Sequence, residues 1–172
     1  MYTPAEDSYL IEKYVKEFAR GKILEIGCGS GILLEAALKK SKNVLGVDID
    51  EESLAYCKEK GLNVKKSNLF SNVKGKFDFI IFNPPYLPED DSSLSTQNID
   101  LVGGKNGYEI IEKFFKKVRK HLNKKGEVLI LFSSLTNKSK VESIMRENGF
   151  SYEKLEEKSV GLMERLYVYL CV

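Results

Sequence analysis

Two short stretches carry residue types that could do chemistry. In the first, Asn83-Pro84-Pro85-Tyr86, a neutral amide precedes two prolines and an aromatic ring. The prolines lack N–H groups and fix φ, and Pro84 restricts Asn83 as well, so the stretch is stiff and presents hydrogen-bond acceptors only. The Asn83 side-chain oxygen and the Pro84 carbonyl can accept both N–H bonds of a planar amino or amide group. That draws electron density onto its nitrogen as positive charge develops there. Tyr86 can lie against the plane of such a group. Taken alone, the same four residues also describe a rigid turn ending a strand, with a tyrosine in the core.

The second stretch is Glu25-Ile26-Gly27-Cys28-Gly29-Ser30-Gly31, followed at a distance by Asp48. Its glycines let the backbone approach a ligand, and the helix expected after them offers N–H groups to an anion. Asp48, at the end of the next strand, can accept hydrogen bonds from both hydroxyls of a ribose. A glycine turn plus an acid also fits a nicotinamide dinucleotide. However, the G-x-G-x-G spacing differs from the G-x-G-x-x-G of dinucleotide binders, and Glu25 directly precedes the turn; both details favour S-adenosylmethionine. Asp50 reads as a helix N-cap. Asn68-Leu69-Phe70 is placed to bracket an adenine, Asn68 at its polar edge and Leu69 at its face, although a surface turn explains these residues almost as well.

Other chemistries are disfavoured. His121 is the single histidine and falls in a basic helix end, where it would cap carbonyls, so no Ser-His-Asp set is plausible. No metal-ligand spacing appears. Cys28, Cys57 and Cys171 are odd in number and form no Cys-x-x-Cys pair, and they read as reduced, mostly buried thiols. The net charge of +2, from 27 basic and 25 acidic side chains, provides no overall field for nucleic acid. No apolar stretch approaches the roughly 20 residues of a membrane span, and the N-terminal residues lack the order of a secretion signal, so a cytoplasmic protein is expected.

The elements that must position these residues are legible in outline. Thr3, Pro4 and Glu6 can form a capping box, Thr3 as N-cap, for a helix running to about Arg20. Strands are expected at 22–26, 43–47, 62–65, 77–82, 127–132 and 166–172, and helices at 31–40, 50–61, 110–122 and 141–148, the last ended by Gly149. The 77–82 run is apolar at nearly every position, as expected of a central strand covered on both faces. Strands alternating with helices imply a doubly wound α/β sheet, and 172 residues suit a single domain over 1–172.

With Asn83-Pro84-Pro85-Tyr86 ending the fourth strand, the sequence resembles the amino-methyltransferases that carry this motif, the HemK-type release-factor glutamine methyltransferases and the adenine-N6 methyltransferases. The segment Pro4-Ala5-Glu6-Asp7-Ser8 and the segment Gly103-Gly104-Lys105-Asn106-Gly107 look like those of the short archaeal and eukaryotic HemK branch. The resemblance implies a Rossmann-like class I methyltransferase fold, a mostly parallel seven-stranded sheet with helices on both faces. It implies that Ser8, Glu25, Gly27, Asp48, Asn68 and Leu69 contact S-adenosylmethionine, and Gly29 belongs to the same turn. It further implies that Asn83, Pro84, Pro85 and Tyr86 hold the methyl acceptor, with Asn83 close to the cofactor as well. The family usually has Asp where Asn68 stands, which alters hydrogen-bond polarity at the adenine. The capping box accounts for Thr3, Pro4 and Glu6 but leaves Asp7 and Ser8 unexplained.

The implied acceptor is the glutamine of a Gly-Gly-Gln loop in a class I translation release factor, for which the glycines at 103–107 would leave passage. The implied partner is a small zinc-binding activator subunit. A flipped adenine is the alternative acceptor. Against it, Glu89, Asp90, Asp91 and Asp100 would repel a phosphate backbone, and the basic residues of 116–125 fit a solvated helix face. A non-catalytic subunit that kept the fold is a further alternative, opposed by the intact Asn83 motif.

Overall fold

The computed structural model describes residues 4–86 and 103–172. Seven strands form one sheet in the order β3-β2-β1-β4-β5-β7-β6. Strands β1 (Ile23–Ile26), β2 (Val44–Asp48), β3 (Val64–Lys66), β4 (Phe77–Phe82) and β5 (Leu122–Ser133) pair in parallel, whereas β7 (Glu164–Cys171) runs antiparallel between β5 and β6 (Tyr152–Val160). Helices α1 (Glu6–Phe18), α2 (Ile32–Leu38) and α3 (Glu51–Glu59) cover one face, and α4 (Glu109–Val118) and α5 (Lys138–Glu147) cover the other.

Strand β4 shows why both faces close. Phe79 and Ile81 point into the cluster under α1 and α2, while Phe77, Ile80 and Phe82 join the cluster under α4, where Phe82 stacks on Phe114 at 4.1 Å between centroids. A strand apolar on both sides is stable only in such a middle layer. Gly149 ends α5 with φ of 78°, the left-handed conformation expected of a helix-terminating glycine. Among the described residues, no helix is long and apolar enough to cross a membrane.

Several local expectations are corrected. Helix α1 starts at Glu6, after Ala5 and without a side-chain cap, so Pro4 precedes the helix and Glu6 and Asp7 both lie in its first turn. Thr3 lies outside the described residues. The helix ends at Phe18, short of Arg20. Strand β5 begins at Leu122, five residues before the apolar run, because Leu122 pairs with Phe77 across a register shift. Strand β6 supplies the seventh strand that the resemblance implies, at a place the residue pattern did not mark: Glu153, Lys154, Glu156, Glu157 and Lys158 mask it, as suits an edge strand whose outer side faces water. His121 does not cap its own helix. Its Nδ1 lies 3.2 Å from the Gly75 carbonyl and its ring stacks on Phe70 at 4.6 Å.

Candidate cofactor and acceptor site

The order of the strands creates the site. The chain winds from β1 outward to β3, then returns to place β4 on the other side of β1, so β1 and β4 flank the switch point where open α/β sheets bind ligands. Ile26 pairs with Phe82, so Gly27 and Asn83 leave the sheet side by side. A cavity of about 510 Å³ opens there. Asp7, Ser8, Glu25, Gly27, Gly29, Asp48, Asn68, Leu69, Asn83, Pro84 and Pro85 line it, bringing together every expected site residue except Tyr86.

The cofactor wall is built largely from backbone. Gly27, Gly29 and Gly31 have φ of 75°, 45° and 78°, a left-handed run that side chains with a Cβ resist. Gly29 N–H donates to Asp48 Oδ2 at 2.9 Å and Asp50 N–H to Asp48 Oδ1 at 3.0 Å, so the carboxylate is clamped at the mouth of the turn with lone pairs remaining. One of the turn's N–H groups is thus committed to Asp48 instead of being offered to an anion. Asp50 caps α3, accepting from Ser53 N–H at 2.9 Å, as expected of it. Ile49, between the two acids, is 61% exposed and presents an apolar side to the cavity.

Opposite, Ser67 organises the turn after β3. Its hydroxyl donates to the Leu69 carbonyl at 2.8 Å and accepts from Asn72 N–H at 3.0 Å, holding Leu69 at φ of 48°. Asn68 has an exposed side chain at the cavity edge, and Leu69 is buried against it.

Glu25 is buried beneath the glycine turn, and its Oε2 has no hydrogen-bond partner. Burial first, and the nearby Asp48 charge second, push its carboxyl well above the usual range; a backbone N–H from Leu34 opposes them. An acid in this state is suited to a ligand that brings a donor or positive charge. Asp7, Glu25, Asp48 and Asp50 all line the cavity, and among the described residues no Lys, Arg or His does. Such a lining disfavours a pyrophosphate and fits an adenosine joined to a sulfonium and an ammonium group.

Asn83 lies at the end of the cavity where the sequence leads one to expect the methyl acceptor. Its Nδ2 donates to Asp7 Oδ2 at 2.8 Å, and its Oδ1 is buried without a partner. Pro84 and Pro85 follow at the cavity rim. Tyr86 turns away into the core cluster under α1, 8% exposed, and does not line the cavity. Here the apolar environment beneath α1 draws the ring inward. In the glycine segment, a Cβ on Gly103 would stand 2.5 Å from the Pro85 carbonyl oxygen, so this glycine backs the proline loop closely. The neighbouring turn is closed on itself by Glu109, which accepts from Asn106 N–H at 3.0 Å. Glu89, Asp90, Asp91 and Asp100 lie outside the described residues.

Sequence reasoning missed Asp7, Ile49 and Ser67 as parts of the site. Only Asp7 gave a signal, since the expected cap left it without a role.

The comparisons agree with this geometry. Residues 7–160 match the model of the family described as Methyltransferase small domain. A protein of Methanocaldococcus jannaschii, provisionally named a protein N5-glutamine methyltransferase, is 41% identical over 162 residues, covering 89% of this chain and 82% of its own. The release factor glutamine methyltransferase of Aquifex aeolicus is 30% identical over 145 residues, covering 73% of this chain and 52% of its own. Among solved structures, the E. cuniculi Mtq2–Trm112 complex, described as responsible for methylation of the eRF1 translation termination factor, superposes with a TM-score of 0.81. It is 22% identical and covers 99% of this chain and 96% of the other, which establishes the shared fold. A switch-point cavity lined by acids, a clamped Asp48 and a matching family model lead to one assignment: the chain belongs to the Methyltransferase small domain family, with the class I fold of S-adenosylmethionine-dependent methyltransferases.

Proposed function

We propose that this protein transfers a methyl group from S-adenosylmethionine to the side-chain amide nitrogen of a glutamine in a translation release factor. The observation that carries this reading is the buried, unpartnered Oδ1 of Asn83 at the rim of the cofactor cavity. A buried acceptor without a partner costs about 1–3 kcal/mol in the free protein. A substrate N–H satisfies it.

Glu25, Asp48, Leu69 and Ser8 hold the cofactor in this reading, Asp48 at the ribose and Leu69 at the adenine. When bound, S-adenosylmethionine supplies an electrophilic methyl on its sulfonium. An amide nitrogen is a weak nucleophile because its lone pair is shared with the carbonyl, so alignment is most of the task. Asn83 Oδ1 and the Pro84 carbonyl accept the two N–H bonds and turn the lone pair toward the methyl. Both acceptors are strengthened by the positive charge that develops on nitrogen. As the N–C bond forms, the sulfur–methyl bond would break to leave a neutral thioether, and the proton shed by nitrogen would leave along its hydrogen bond to Asn83 Oδ1 or the Pro84 carbonyl and on to solvent. Tyr86 in this reading supports the loop from the core.

The relatives support glutamine in particular, as two of them are named for it. The E. cuniculi neighbour is a complex with Trm112, and we include in the reading a small activator subunit for this chain, of the zinc-binding kind that the resemblance implies. A release-factor substrate supports a cytoplasmic location, which we include in the reading.

Incubation of the protein, S-adenosylmethionine and a class I release factor, with and without a candidate activator, should add one methyl to the glutamine of the Gly-Gly-Gln loop. Mass spectrometry should show it abolished by Gln→Ala. Methylated adenine in DNA or RNA beside an unmodified release factor would overturn the glutamine assignment in favour of nucleic acid.

A further inference from the structure

We infer that Asp7 is a positioning residue that fixes the Asn83 amide in the one orientation able to receive a methyl acceptor. The inference rests on the function proposed above. It stands on three observations. Asp7 is 3% exposed in the first turn of α1, 76 residues from Asn83 in sequence, and it lines the same cavity. The contact between them runs from Asn83 Nδ2 to Asp7 Oδ2 at 2.8 Å. The other end of the Asn83 amide, Oδ1, is buried and unpartnered.

An asparagine amide has two ends of opposite polarity and nearly equal size, so its orientation is set by what it faces. An ionised carboxylate accepts and cannot donate. Facing Asp7, the Asn83 amide therefore presents Nδ2, because the flipped form would set oxygen against oxygen in a buried place. Oδ1 is left directed away from Asp7 as the free acceptor. Were the amide flipped, its N–H groups would meet the N–H groups of the substrate, and the acceptor would be repelled. The carboxylate also draws positive charge toward Nδ2 and so makes Oδ1 a stronger acceptor.

Helix α1 provides the rigidity this needs. Leu10, Ile11, Tyr14 and Val15 bury one side of it, and Tyr14 OH donates to Glu156 Oε2 at 2.5 Å on the far edge of the sheet. An acid in the first helical turn also faces the favourable end of the helix dipole. Asp7 thus reaches the site from an element anchored elsewhere.

Asp7→Asn tests the inference, since it keeps shape and allows both orientations. Its own amide can then donate to Asn83 Oδ1 and occupy the atom meant for substrate. Single-turnover methyl transfer should slow by about 10²-fold, the scale of a misplaced catalytic contact, while the Kd for S-adenosylhomocysteine stays within about twofold. In an Asn83→Ala background, Asp7→Asn should cause no further loss, because the two residues act as one unit. A purely structural role predicts the same fractional loss in both backgrounds, and that result, or a wild-type rate in Asp7→Asn alone, overturns the inference.

A second readout needs no variant to be active. In wild-type protein bound to S-adenosylhomocysteine, the Asn83 side-chain amide should show one proton strongly shifted and protected from exchange by NMR. Rapid exchange of both protons overturns the inference. If adenine and not glutamine proves to be the acceptor, the same cycle is run on adenine, so that the two proposals fail separately.

Discussion

The two walls of the cavity are built differently. The wall proposed for the cofactor joins the turns after β1, β2 and β3 and ties most of its polar groups to one another: Gly29 and Asp50 donate to Asp48, Asp50 caps α3, and Ser67 ties its own turn. The acceptor wall is assembled from α1, the end of β4 and the Gly103 segment, and it leaves Asn83 Oδ1 unpartnered. The first wall is prepared for a ligand that is always the same and presents mostly backbone. The second leaves a polar atom free for the proposed chemistry. Among the described residues, Glu25 alone shares that unsatisfied state.

If the division is real, substitutions on the two walls should separate turnover from affinity. The largest effect is expected at Asn83. Asn83→Ala should lower the methyl-transfer rate by about 10²–10³-fold, as loss of a preorganised polar contact does, with cofactor affinity nearly intact by calorimetry. Equal loss of both would show that the walls are one unit. Asp48→Ala should do the converse, weakening cofactor binding by about 1.5–3 kcal/mol, the range of a hydrogen bond to a charged group. Its rate at saturating cofactor should stay close to that of the wild type, and NAD should bind neither protein.

The smallest effect sharpens the exception. Because the folded-state pKa of Glu25 is raised, the native protein keeps a proton that the unfolded chain has lost. The contribution of Glu25 to the stability of the ligand-free protein is therefore fully present below the ordinary glutamate range and is lost as pH rises from there through the raised value. Glu25→Gln should flatten this slope in thermal or urea unfolding followed over pH. In the wild type, saturating S-adenosylmethionine should also flatten it, by supplying positive charge and donors to Oε2. A slope unchanged by the substitution would remove Glu25 from the account.

The sequence by itself determined much of this protein. Apolar runs bounded by glycines and acids place β1, β2 and β4. The spacing from Gly27 to Asp48 marks two residues that line one cavity, and the Asn83 prolines mark the stiff loop beside them. These features are local: a turn, a cap or a strand exit depends on residues a few positions apart, and side-chain type states it directly. Tertiary structure decided what depends on distant parts meeting. Charged β6 is a strand because β7 offers it a partner, and Tyr86 is core because α1 covers it. Gly103 packs its backbone against the Pro85 carbonyl, a contact between segments far apart in sequence. The orientation of Asn83 is the sharpest case, since an amide is symmetrical in shape and only the buried carboxylate of Asp7, carried in on α1, gives its two ends different surroundings.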